Sequence, residues 1–82
     1  MNIKILGTGC PKCKALENLA NEVVQELALN ATIEEVMDMK KIMEYPILAT
    51  PGLVINEKLV VSGRVPSKAE IITFITTALA KK

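Results

Sequence analysis

The chain has 82 residues, ten of them basic and nine acidic, for a formal charge of +1; that holds one domain, residues 1–82, and is too short for two. Half of the residues are hydrophobic but almost all of these are aliphatic, with no Trp, one Tyr and one Phe, which argues against stacking bases or sugars on aromatic side chains. Basic residues come only in short pairs such as Lys40-Lys41 and Lys81-Lys82, so no nucleic-acid face is expected, and no apolar stretch approaches the roughly 20 residues that span a bilayer.

Met1 leads into Asn2-Ile3-Lys4-Ile5-Leu6 with no basic leader, which predicts a chain that stays in the cytoplasm. Residues 2–6 alternate and are β-prone, so the first element is a strand, broken by Gly7-Thr8-Gly9. A helix follows from about Pro11. Leu16, Leu19, Ala20, Val23, Val24 and Leu27 form its apolar stripe, and Asn30 is its expected stop. Thr32–Val36 is a short β-branched strand. Asp38 caps a short helix over 39–44, with Met39, Ile42 and Met43 on one side, and Tyr45-Pro46 ends it. Leu53-Val54-Ile55 and Leu59-Val60-Val61 flank Asn56-Glu57-Lys58 as a hairpin without a turn glycine; Gly63 breaks the last strand. Ser67-Lys68-Ala69-Glu70 is a capping box behind Pro66. It opens a helix with Ile71, Ile72, Ile75, Ala78 and Leu79 on one face, and Lys81-Lys82 suits the negative end of its dipole.

The order is β-α-β-α-β-β-α. A β-α-β start demands parallel pairing through a right-handed crossover, and the late hairpin must be antiparallel. The expected fold is α/β: a mixed four-stranded sheet with helices on both faces.

The two cysteines, Cys10 and Cys13, are too few for a disulfide-stapled fold, and the loop between them is too short to stabilise by chain entropy. In a reducing compartment such a pair is redox-active or metal-binding. Cys10 falls at the N-cap, Pro11 at the first helical position, where its missing N–H has no partner to lose, and Cys13 one turn inward. A capping side chain accepts from the backbone two or three residues on, here Lys12 or Cys13. The helix dipole points at the same sulfur. Both favour thiolate, and such sites bring a cysteine from near 8.5 to roughly 3.5–7.5. Lys12 and Lys14 add positive charge. Cys10 is therefore the expected nucleophile and Cys13 the resolving thiol. Both cysteines could instead be small buried hydrophobes, but the Pro-Lys insert and Gly-rich approach argue against burying the pair.

Cys10-Pro11-Lys12-Cys13, Thr50-Pro51 and Gly63 together resemble the thioredoxin-like superfamily over essentially the whole chain. The likeness is to the glutaredoxin-sized thioredoxins of archaea and bacteria, sometimes called redox-active disulfide proteins. The resemblance implies a thioredoxin-like fold and a protein-disulfide reductase that needs no cofactor beyond the Cys10–Cys13 pair. It implies a cis bond before Pro51, facing the cysteines, and backbone at Ala49, Thr50 and Gly63 that pairs with an extended substrate segment. Pro11, Lys12, Thr50 and Pro51 would shape the site. The implied partners are disulfide-containing proteins and a reductase that supplies electrons, and the chain is expected to act as a monomer. It departs from the family pattern in three ways. Gly9 stands where a tryptophan usually precedes the motif. The acid that assists the resolving cysteine has no evident counterpart beside Lys4, while Glu34 and Glu35 face unassigned directions. Ser62-Gly63-Arg64-Val65 replaces the paired-acid segment that holds glutathione.

The main rival is a soft-metal chaperone using the same two thiolates for copper or zinc. Its usual β-α-β-β-α-β order differs from this one, and one chain without His or a third Cys cannot close a four-ligand site. Nucleotide binding at Gly7-Thr8-Gly9 lacks the third glycine, because position 12 is Lys12, and there is no Gly-Lys-Ser/Thr run. Met37, Met39 and Met43 are expected as core filling rather than a binding face.

Overall fold

β1 (Asn2–Leu6) is hydrogen-bonded on both sides, with β2 (Thr32–Val36) parallel to it and β3 (Gly52–Ile55) antiparallel. β4 (Lys58–Ser62) pairs with β3, which gives the sheet order β2-β1-β3-β4. The structure is a computed structural model that describes residues 1–80; Lys81-Lys82 lies outside them. Strand side chains alternate between faces. Ile3, Ile5, Leu53, Ile55 and Val61 therefore meet α1 (Pro11–Glu26) and α3 (Lys68–Ala80) on one side, while Leu6, Val36 and Val54 meet Ile42 of α2 (Met39–Ile42) on the other. The mixed sheet with helices on both faces is as expected.

A register shift between Leu53 and Val54 explains how β4 serves both faces. Leu53 pairs with Val61 and Val54 with Leu59, so Val60 is an extra residue, a β-bulge. Without it Leu59 and Val61 would point the same way. With it Val61 enters the α1–α3 core, and Leu59 packs with Val54 on the α2 face.

Several element ends differ from expectation. α1 stops at Glu26, with Leu27 as C-cap. Ala28 adopts φ 50°. Its N–H donates to the Gln25 carbonyl at 3.2 Å and that of Leu29 to Val24 at 3.0 Å. This is a Schellman stop with alanine where glycine is usual, so Asn30 is not the stop. α2 is only four residues long, because after Ile42 the N–H groups of Glu44 and Tyr45 turn back three residues, onto Lys41 and Ile42. The hairpin loop is two residues, not three: Lys58 pairs with Ile55, and Asn56 and Glu57 take φ values of 50° and 69°. Both positive φ values mark a type I′ turn, which matches strand twist. Glu57 is held there by Lys4 Nζ at 2.8 Å and Tyr45 Oη at 2.9 Å.

The apolar stripes are narrower than expected. Leu16, Ala20, Val23, Ile71 and Ile75 are buried, whereas Leu27 and Leu79 are exposed. Met37, Met39 and Met43 are exposed as well, and so are not core filling. Of α2, Ile42 is the residue buried in the second core. The capping box of α3 forms as expected: Glu70 N–H donates to Ser67 Oγ and Ser67 N–H to Glu70 Oε1, each at 3.2 Å. None of the helices is long and apolar enough, among the described residues, to cross a membrane.

Candidate active site

The C-terminal end of β1 is where chemistry-bearing residues gather. Gly7 continues the strand by donating its N–H to the Val36 carbonyl at 3.0 Å. Three residues later Cys10 takes an extended conformation (φ −69°, ψ 163°) and caps α1, with Pro11 at its first position. Cys10 Sγ accepts the Cys13 N–H at 3.3 Å. The two cysteines are joined in a disulfide with Cα atoms 5.1 Å apart.

The two sulfurs sit in different surroundings. Cys13 is fully buried, 0% exposed, and its Sγ fills the space that a side chain on Gly7 would need. Cys10 is half-buried rather than standing at a fully exposed tip, because its sulfur folds back towards the Cys13 N–H and is tied to the buried partner. Pro11 and Lys12 are exposed beside it. When the disulfide opens, that N–H and the helix dipole act on Cys10 and stabilise negative charge there. Cys10 is the outward sulfur and Cys13 the inward one.

Glu35 faces the α1 side of the sheet. It pairs in register with core residue Ile5, and its Oε2 lies 4.0 Å from Lys14 Nζ. Its other oxygen is enclosed with no hydrogen-bond partner among the described residues. Glu34 and Lys4, which pair with each other in register, lie on the α2 face. Hydrogen bonds from Lys4 to Glu57 and Tyr45 hold the ammonium strongly charged, well above the usual lysine range. Lys4 is therefore committed to the hairpin and not to the cysteines.

The second part of the site is the segment before β3. The Thr50–Pro51 bond is cis. Gly52 pairs with Leu6, so this segment reaches the end of the sheet from which β1 leads to Cys10. Gly63, with φ 81°, donates its N–H to the Pro51 carbonyl at 2.9 Å. Of the positions implied by resemblance, Ala49 and Gly63 already use backbone groups internally, Ala49 through Ser62. Thr50 is exposed, and its backbone N–H and carbonyl have no protein partner among the described residues. Sequence reasoning did not single out Leu48, gave the Ser62 hydroxyl no part in the site, and placed Met37 in the core. Leu48 is 96% exposed just ahead of Thr50, and Met37 lies over Gly9, its Cε 3.2 Å from where a Cβ would stand. For Leu48, only its apolar character in a non-helical segment hinted at a role.

Among the described residues no three His, Cys, Asp or Glu side chains come together as a metal site. A groove of about 350 Å³, lined by Ile55, Val60, Phe74 and Ala78, lies at the opposite end of β3.

Comparison with known proteins agrees with the geometry. The family model described as "Thioredoxin domain" matches residues 1–76. The chain is 45% identical over 71 residues to a protein named Thioredoxin from Methanothermobacter thermautotrophicus, covering 87% of this chain and 92% of that one. It is 39% identical over 69 residues to a Thioredoxin from Methanocaldococcus jannaschii, with 84% and 79% covered. A Probable Thioredoxin from Archaeoglobus fulgidus is 32% identical over 65 residues, with 76% and 70% covered.

Proposed function

The chain belongs to the thioredoxin family and is a thiol–disulfide oxidoreductase; we propose that it reduces disulfides in other proteins, with Cys10 as nucleophile and Cys13 as resolving thiol. Cys10 thiolate attacks one sulfur of a substrate disulfide. A mixed disulfide forms, and the first substrate thiolate leaves and takes a proton from water. Cys13 then gives up its proton, and its thiolate attacks Cys10 Sγ. The second substrate thiolate departs, and the Cys10–Cys13 disulfide is left behind. Two electrons have passed to the substrate from the cysteine pair, which needs no other cofactor, and an external dithiol or reductase restores it.

One observation carries this reading: the pair is asymmetric. Cys10 sits at a helix mouth with an N–H aimed at its sulfur, while Cys13 is sealed beneath it. An attacking thiolate must meet a partner, and a resolving thiol must not. Pro51, buried and cis beside exposed Thr50, supports a backbone edge on which an extended substrate segment docks.

The test is reduction of insulin by metal-free protein with dithiothreitol as donor. Steady turnover is expected, with none in Cys10→Ser. In Cys13→Ser the reaction should stop at the mixed disulfide, which non-reducing gels display. Turnover that required added copper or zinc, or a Cys13→Ser protein that trapped nothing, would refute the assignment.

A further inference from the structure

The segment that carries Thr50 has no regular secondary structure, yet one hydroxyl fixes its course. Ser62 Oγ accepts from the N–H of Leu48 at 3.1 Å and from the N–H of Ala49 at 3.3 Å, and it donates to the Ala49 carbonyl at 3.2 Å. A serine hydroxyl has one proton and two lone pairs, so all of its capacity goes into this loop. The Val60 bulge aims it there: Ser62 pairs with Gly52, on the strand face opposite Val61. The neighbouring Gly63 adds its bond to the Pro51 carbonyl, and a Cβ on it would come within 3.2 Å of Ala49 Cβ.

We propose that Ser62 is the positioning residue for substrate docking: its hydroxyl occupies the backbone groups of Leu48 and Ala49, which leaves Thr50 as the open hydrogen-bonding edge and holds Leu48 outward beside it. The inference rests on the reading of this site as a protein-disulfide reductase. Three groups that could pair wrongly with an incoming strand are already satisfied. One register remains for the substrate, with the apolar Leu48 side chain available to whatever flanks the disulfide. Ser62 touches neither the substrate nor the sulfurs, so its effect falls on binding and not on thiol chemistry.

The experiment compares wild type, Ser62→Ala and Ser62→Thr on an oxidised peptide with one disulfide, measuring KM and kcat, with iodoacetamide alkylation of Cys10 as control. Ser62→Ala should raise KM roughly tenfold, the scale of one net hydrogen bond lost from ordering the loop. The kcat and alkylation rate should stay within about twofold of wild type, a difference well below one net hydrogen bond. Ser62→Thr, which keeps the hydroxyl, should restore KM. In wild type the amides of Leu48 and Ala49 should exchange slowly with deuterium and that of Thr50 fast, a readout that does not depend on how well a variant folds. Unchanged KM in Ser62→Ala, a parallel fall in alkylation, no rescue by Thr, or unprotected Leu48 and Ala49 amides each overturn the proposal. A wild type that alkylates at Cys10 but turns over no peptide overturns the reductase reading instead, and this inference with it.

Discussion

Replacing Gly7 by Ala tests how tightly the buried Cys13 is housed. A Cβ on Gly7 would overlap Cys13 Sγ and stand 3.3 Å from Cys13 Cβ. Neither partner has room to yield. The Gly7 backbone is pinned to Val36 at 3.0 Å, and Cys13 is wholly buried on the first turn of α1. Overpacking of this kind costs about 1–3 kcal/mol, a large share of the roughly 4–12 kcal/mol expected for a domain of this length. The sulfur is the specific obstacle, so the cost should collapse to below about 0.5 kcal/mol in a Cys13→Ala background, where only the milder Cβ contact is left. Urea unfolding of wild type, both single variants and the double variant, all in dithiothreitol, closes the cycle through midpoints at constant slope. An equal cost of Gly7→Ala in the two backgrounds would mean that the glycine serves the strand and not the sulfur.

Ala28→Gly should stabilise the protein by about 0.5–1 kcal/mol, since the left-handed C′ position penalises a Cβ; thermal melting should rise by about 2–8 °C, and a fall would refute the account of how α1 ends. Glu70 is held at about 2, below its ordinary 4.5, by the Arg64 guanidinium and then by the Ser67 N–H. A depressed carboxyl contributes stability that is full above its unfolded value and lost as the folded group protonates. Glu70→Gln, which keeps the capping box, should therefore be less stable than wild type at pH 6, and the gap should close between pH 4.5 and 2. A gap that stayed constant in urea midpoints across that range would show that the charge contributes nothing.

What could be read from the sequence was whatever local chemistry decides. Pro11 at the first helical position and the Ser67/Glu70 box set two helix starts, because the first removes an orphan N–H and the second satisfies two, all within four residues. The alternation in β1 and the aliphatic run in β3 likewise set the sheet. The misses lie where a distant group decided. Ala28 takes the left-handed position ahead of the better-suited Asn30, because Leu29 must turn back to pack on the core. Glu57 adopts positive φ because Lys4 and Tyr45, far away in sequence, grip its carboxylate. The Met37, Met39 and Met43 side chains stand outside because Ile42, Tyr45 and Ile47 already cover the second face of the sheet. The three bonds of Ser62 depend on a one-residue bulge that no pattern of Lys58–Ser62 announces.

The direction of β3 is what lets so short a chain assemble the site. β1 and β2 run parallel, so Leu6 and Val36 end at the same edge. β3 runs against them, so its beginning, Pro51-Gly52, lies at that edge too, and β4, reversed again, ends there with Ser62-Gly63. Four strands therefore bring the helix capped by Cys10, the slot that houses Cys13, the Thr50 segment and Ser62 to one rim without any long loop. A β3 parallel to β1 would put Thr50 at the far end of the sheet, some four residues of strand or about 13 Å away, beyond reach of a disulfide held at Cys10. On the proposed reading, the antiparallel hairpin serves the site as well as finishing the sheet. It follows that the turn closing the hairpin, Asn56-Glu57, shapes the site from its opposite end, since a one-residue change there would rotate Ser62 away from Leu48 and Ala49.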